Sequence, residues 1–336
     1  MKDNFLRLVV LMHVTVVLSA CAPTLKQTSI DPHLIENEMK SQQEAALDLS
    51  MKRLVRLGNL SYPLRRAAVG ICDDHGQTLG MYVHDISFYP AIFHDVAEAI
   101  YHFENGVKVY YVHPDSPGAR ANIISGDTIV SVDGQRLRRA KDWGKFMKKI
   151  ANPKGTVVLT VRNSTGQHDI LVAFVPVVPY SVMPHGDLLL TSSDRVNAYA
   201  DGNDVYILRG MLRVPMSDEE LAFVIGHELA HNCLRYIRKI KWGWLLWPIA
   251  DVFLYGGKMT ELEADRMGIY IAARAGYNIT KIPQYFRRVA TEIPVNISPR
   301  FSVLHPYPSM PERVLALDKT VDEIQRKITA NEPLIP

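Results

Sequence analysis

Two histidines four apart inside an apolar run do most to restrict the fold of this 336-residue chain. They lie in SDEELAFVIGHELAHNCLRY, residues 217–236. Ser217 with Glu220 is a capping-box pattern, so a helix is expected to begin near Asp218. Leu221, Ala222, Val224, Ile225, Leu229, Ala230, Leu234 and Ile237 cover most of its circumference, which predicts burial on nearly every side. His227, Glu228 and His231 then sit within a buried helix, where an unpartnered carboxylate is costly. A metal ion with a bound water would satisfy all three. His227 and His231 share a face and can reach one ion, while Glu228 misses the ion but can touch its water. Cys233 points to nearly the opposite side and is a poor ligand.

Such an ion needs a further ligand, and GGKMTELEADRMGIYIAARAGY, residues 256–277, offers one. Thr260 and Glu263 repeat the capping-box pattern. That places Glu261 in the first turn of a second helix, with Glu263 as its cap and Gly276 just past its end. Glu261 and Asp265 share a face: one can bind the ion while the other holds a ligand's ring N–H. Two histidines, one carboxylate and an open position describe a catalytic rather than a structural zinc site.

The chain opens with MKDNFLRLVVLMHVTVVLSAC: basic Lys2 and Arg7, an apolar run from Leu8 to Leu18, then small residues. That is the order of a secretory signal peptide. The apolar run is about eleven residues, against the roughly twenty a membrane span needs. LSAC resembles a bacterial lipobox, which implies cleavage after residue 20 and lipid on Cys21; the alternative is an ordinary signal peptide with a chance Cys. Ala22 stands where an inner-membrane retention signal places Asp, so the resemblance implies the periplasmic face of an outer membrane. Cys72 and Cys233 then either pair, as an oxidising compartment permits, or remain buried thiols. The net charge of +3 is too weak to argue for a nucleic-acid partner.

Residues 21–45 are expected to form a tether, with helical pattern from about Glu36 to Leu57. Residues 106–137, GVKVYYVHPDSPGARANIISGDTIVSVDGQRL, set alternating strands around a Ser-Pro turn, a short helix and a Gly-Asp turn. This resembles a PDZ domain of the bacterial periplasmic kind, with Gly118 in place of the usual Ala and Asn122 in place of the usual Gly. Asn is the residue after Gly that best tolerates positive φ. KDWGKFMKKI is expected as a helix and GTVVLTVRN and HDILVAFVPV as closing strands. The basic residues Arg138, Arg139, Lys141, Lys145, Lys148 and Lys149 form either a solvated face or a contact for anionic head groups.

The motifs HELAH and ELEAD, the following RMGIYIAARAGY, the upstream DRVNAYADGNDVYILRGML and the downstream HPYPSMPERV together resemble the HtpX-like and CAAX prenyl protease-like zinc metallopeptidases, family M48. The resemblance covers roughly residues 180–318, with weaker similarity near 50–72. It implies an α+β fold: a mostly helical zincin-type (gluzincin) peptidase domain with a short edge sheet, and an inserted β-rich PDZ domain. The implied layout is a signal peptide at 1–20, tether at 21–45, helical peptidase part at 46–78, PDZ-like domain at 79–178, peptidase domain at 179–325 and tail at 326–336.

The resemblance also implies one Zn²⁺ on His227, His231 and Glu261, with Asp265 behind them. Glu228 becomes the base that takes a proton from the attacking water, and Asn197 and Ala198 lie on an edge strand that pairs with extended substrate. His305 stabilises the oxyanion, holds the fourth zinc position in a latent state, or begins a structural loop. Arg313 is weaker still as a site residue, and reads as a helix ion pair. The Trp-rich WGWLLWPIADVFLY, residues 242–255, is either a buried hairpin or an apolar patch for membrane, self-association or clients. The expected activity is cleavage of misfolded or membrane-associated envelope proteins, with clients or a ligand peptide held by the PDZ domain. The alternative is a latent or inactive peptidase that serves as an envelope chaperone or scaffold.

Overall fold

The computed structural model describes residues 28–149, 155–184, 196–214, 216–234, 257–292 and 309–336. The expected signal peptide, Cys21, the Trp-rich segment 242–255 and His305 lie outside them. The first helix, α1 (Pro32–Ala67), is longer at both ends than its sequence pattern suggests. Residues 32–45, within the span expected as a tether, are helical. Pro63 lies inside α1 and removes one helical hydrogen bond. Buried Leu54, Leu57, Leu60 and Leu64 hold its last turns in place regardless. The chain divides into two units, Met1–Ala45 and Ala46–Pro336. Among the described residues, no helix is long and apolar enough to cross a membrane.

An antiparallel domain follows: β1 (Gly76–Thr78), β2 (Met81–His84), two single 3₁₀ turns, α2 (His94–Tyr101), β3 (Val107–Val112), α3 (Pro117–Arg120), β4 (Thr128–Val132), β5 (Gln135–Arg136), α4 (Ala140–Lys149), β6 (Thr156–Asn163), β7 (Gly166–Ala173) and β8 (Val175–Val177). Its sheet runs β2-β3-β4-β6-β7, with β5 paired to β4. Alternate residues of β3 are buried, as a sheet with one core face requires. Val107, Val109, Ile129, Leu159 and Val161 form that face with Trp143 of α4. Ser116 caps α3 by accepting from the Ala119 N–H, and Asn122 adopts φ +58°, the conformation its usual Gly would supply. Arg138, Arg139, Lys141 and Lys145 are exposed.

The ends of this domain meet: β1 and β8 pair antiparallel, with Gly76 opposite Val177. The domain also rests on α1. A Cβ at Gly58 would stand 2.6 Å from the Tyr111 ring, Tyr111 Oη donates to Asn59 Oδ1 at 2.6 Å, and Tyr62 stacks on His113 with centroids 4.3 Å apart.

The rest is mostly helical. Strands β9 (Val182–Pro184), β10 (Ala198–Ala200) and β11 (Val205–Ile207) form a sheet ordered β10-β11-β9, which among the described residues leaves β10 at an edge. Helices α5 (Arg209–Arg213), α6 (Asp218–Cys233), α7 (Gly257–Arg274), α8 (Ile282–Glu292) and α9 (Met310–Thr329) follow among the described residues. The second half of α1 shares one core with this sheet, α6, α7 and α9, through Leu57, Leu64, Ile207, Leu221, Ile269 and Leu317. The whole is α+β, as the sequence implies.

Helix α6 starts on the expected capping box, with Ser217 and Glu220 satisfying each other's backbone N–H groups. Helix α7 differs from expectation. Its described span already includes Thr260, so Glu261 lies within the helix rather than in its first turn, and Glu263 is not its N-terminal cap. Gly276 (φ +88°) ends it in a Schellman motif, the Tyr277 and Gly276 N–H groups donating to the Ala272 and Ala273 carbonyls. Helix α9 runs to Thr329, shortening the expected tail. Cys72 and Cys233 form a disulfide with Cα atoms 5.2 Å apart, which ties the loop after α1 to the end of α6.

Candidate metal centre

Helices α6 and α7 cross at two glycines. A Cβ on Gly226 would stand 2.8 Å from the Gly268 carbonyl oxygen, and one on Gly268 only 2.7 Å from the His227 backbone nitrogen. Without side chains at the crossing, the backbones approach closely enough for Glu261 of α7 to reach the histidines of α6. His227 Nε2 lies 3.0 Å from His231 Nε2, Glu261 Oε2 lies 3.5 Å from the first, and Glu261 Oε1 lies 3.4 Å from the second. The three side chains converge as a cluster able to hold a metal ion. Tetrahedral zinc with bonds of about 2.0–2.1 Å separates its ligand atoms by about 3.3 Å, so the donor set fits such an ion.

Behind the cluster Asp265, 1% exposed, serves two partners. Its Oδ1 lies 2.9 Å from His227 Nδ1, a close contact off the axis of a well-aligned hydrogen bond. Arg313 of α9 donates to the same carboxylate twice, from Nε at 2.7 Å and Nη2 at 2.6 Å. Its guanidinium also lies over the Phe286 ring, 4.7 Å from the centroid, and its Nη1 lies 3.8 Å from Glu261. Asp265 therefore orients His227 with Nδ1 toward the carboxylate and Nε2 toward the cluster. Burial works against a charged His227, but the Asp265 and Glu261 carboxylates outweigh it and push its pKa up to about 10. The surroundings are built to hold positive charge, which a proton or a cation supplies.

Glu228 is 9% exposed, next to His227 on α6. Burial pushes its pKa up, with His227 and His231 pulling the other way. Such a carboxylate holds a proton more readily than a solvated one, which suits it to take and return one. Asn197 is exposed just before β10, its carbonyl accepting from the Leu208 N–H at 3.0 Å; Ala198 is buried at the start of β10. Arg313, read from sequence as a mere ion pair, sits against the carboxylate that steers His227. Asn232, fully buried beside His231, drew no notice in the sequence. Its signal was an amide within an otherwise apolar helix face.

A family model described as PDZ domain matches residues 108–163, and one described as Peptidase family M48 matches residues 177–255. The chain carries an M48 peptidase domain and a PDZ domain. The M48 match contains HELAH and stops short of Glu261, whose place at the centre therefore rests on the geometry above. The chain is similar to the β-barrel assembly-enhancing protease of Yersinia pestis, 24% identical over 152 residues, covering 35% of this chain and 31% of that protein. It is also similar to the mitochondrial metalloendopeptidase OMA1 of Danio rerio, 22% identical over 220 residues, covering 55% of this chain and 45% of that protein. The match thus spans less than half the length of either relative. Among solved structures, the HtrA3 PDZ domain bound to a phage-derived ligand matches at 24% identity, with a TM-score of 0.24, over 31% of this chain and 88% of that one.

Proposed function

We propose that the chain is a zinc-dependent endopeptidase, held by lipid on Cys21 at the periplasmic face of a bacterial outer membrane. The single observation that carries this reading is the convergence of His227, His231 and Glu261, with buried Glu228 next to His227 on α6. Zinc held by those three ligands supplies a Lewis acid that polarises a scissile carbonyl and acidifies a water. Glu228 takes the proton from the attacking water and hands it to the leaving amine. Asp265 and Arg313 keep His227 aimed. Extended substrate pairs with the edge of β10 at Ala198, with the exposed Asn197 side chain beside it, as peptides add to exposed sheet edges elsewhere.

The clients are misfolded or membrane-associated envelope proteins, and the PDZ domain holds them by an apolar C-terminus or an exposed strand. The name of the Yersinia relative, which ties it to β-barrel assembly, supports that setting. The test uses the chain from Cys21 onward, with zinc counted per chain and unfolded casein as substrate. Glu228→Gln is expected to keep its zinc and lose at least about a hundredfold in kcat; Glu261→Ala is expected to lose zinc. Folded protein that takes up no zinc sinks the proposal.

A further inference from the structure

The residue after the second histidine joins the metal helix to the edge hairpin. Asn232 is wholly buried, and both atoms of its amide are used. Its Oδ1 accepts from the Gly202 N–H at 2.8 Å, and its Nδ2 donates to the Asp204 carbonyl at 3.1 Å. Gly202 and Asp204 belong to the turn between β10 and β11, closed by the Asp201 N–H on the Asp204 carbonyl at 3.2 Å. The same turn reaches β9, because Asp204 Oδ1 accepts from the Ser181 N–H at 3.0 Å. The Asn232 backbone carbonyl lies 3.2 Å from the Tyr180 hydroxyl, which also meets the Asp74 carboxylate. The amide orientation is fixed by its partners: an N–H requires the oxygen and a carbonyl requires the nitrogen.

We infer that Asn232 is a positioning residue for catalysis: it sets the register of the substrate-pairing strand β10 against the metal ligand His231, one residue away on α6. The inference rests on the peptidase reading above. A strand displaced by one residue presents the opposite face, so an edge that is to place a scissile bond beside a metal needs its turn anchored to the element carrying that metal. Asn232 supplies that anchor with two bonds to backbone, leaving side chains along β10 free to differ.

The measurement compares the unaltered full chain with Asn232→Ala and Asn232→Asp on two peptides. One extends several residues along β10 on either side of the cleaved bond; the other barely passes it. Asn232→Asp keeps an acceptor for Gly202 but turns a second acceptor toward the Asp204 carbonyl. Zinc content should hold, and kcat/KM on the long peptide should fall roughly tenfold to a hundredfold, chiefly through KM. The short peptide should lose far less. Equal losses on both peptides, or none, overturn the inference and leave the peptidase reading standing. An unaltered chain that cleaves neither peptide overturns that reading itself. If the variants fail to fold, hydrogen exchange in the unaltered chain decides: the Gly202 N–H should be protected as well as the amides of α6, and rapid exchange there shows that no anchor exists.

Discussion

His84 is 1% exposed among five aromatic rings, those of Phe88, Tyr89, Tyr101, Phe103 and Tyr110, with centroids 4.7–6.4 Å away. Burial lowers its pKa to about 4, despite the nearby Asp85, while Lys108 adds to the lowering. The folded chain therefore keeps His84 neutral where the unfolded chain takes up a proton. Stability associated with it is complete above about pH 6.5, is lost as pH falls toward 4, and changes no further below that. The shift corresponds to about 3 kcal/mol at most. Urea unfolding at pH 7 and pH 4.5 should show the unaltered chain losing about 2–3 kcal/mol more than His84→Gln. Parallel losses in both would mean that His84 charges without penalty.

The crossing of α6 and α7 makes a prediction at the scale of elements. A methyl at position 268 meets backbone at 2.7 and 2.8 Å, atoms that no rotamer change can clear. Overpacking of this kind costs about 1–3 kcal/mol, and here relief comes by parting the two helices that bring Glu261 to the histidines. Gly268→Ala should weaken zinc binding by roughly tenfold to a hundredfold, read by competition with a chelator. Unchanged affinity would show that Glu261 follows the histidines without the close crossing. This level also shows what was legible in the letters. HELAH and its capping box gave α6 correctly because both signals act within a few residues. The same box written as Thr260 to Glu263 misled, since those letters occur as readily inside a helix as at its start, and only α7's own course places Thr260 within it. Glu261 and Asp265 were legible as a pair on one face. Arg313 against Asp265, 48 residues away in sequence, and Asn232 against the β10–β11 turn were not, because nothing local records them.

Across the whole molecule, the Cys72–Cys233 bond closes a loop with a sequence separation of 161. Loop-closure entropy for that length gives an upper stabilisation of about 5 kcal/mol. Reduction, or Cys72→Ser with Cys233→Ser, should lower the urea midpoint accordingly while a folded core persists. A midpoint unmoved by reductant would place the stability of this region wholly in packing. The bond joins parts that the PDZ domain separates along the chain, and the β1–β8 ribbon brings the two ends of that domain together. The helical core thus closes across the intervening domain rather than through it.

That ribbon has a consequence for the order of events. In a chain that emerges N-terminus first, α1 appears well before the strands and helices that bury Leu57, Leu60 and Leu64. It must wait with much of that face uncovered. The inserted domain fills the interval, since everything its sheet pairs with lies within its own span. Once formed, it sets Tyr111 and His113 against Gly58 and Tyr62. A domain folded at that stage would shield part of α1 and hold the chain's exit beside its entry before α6 is made.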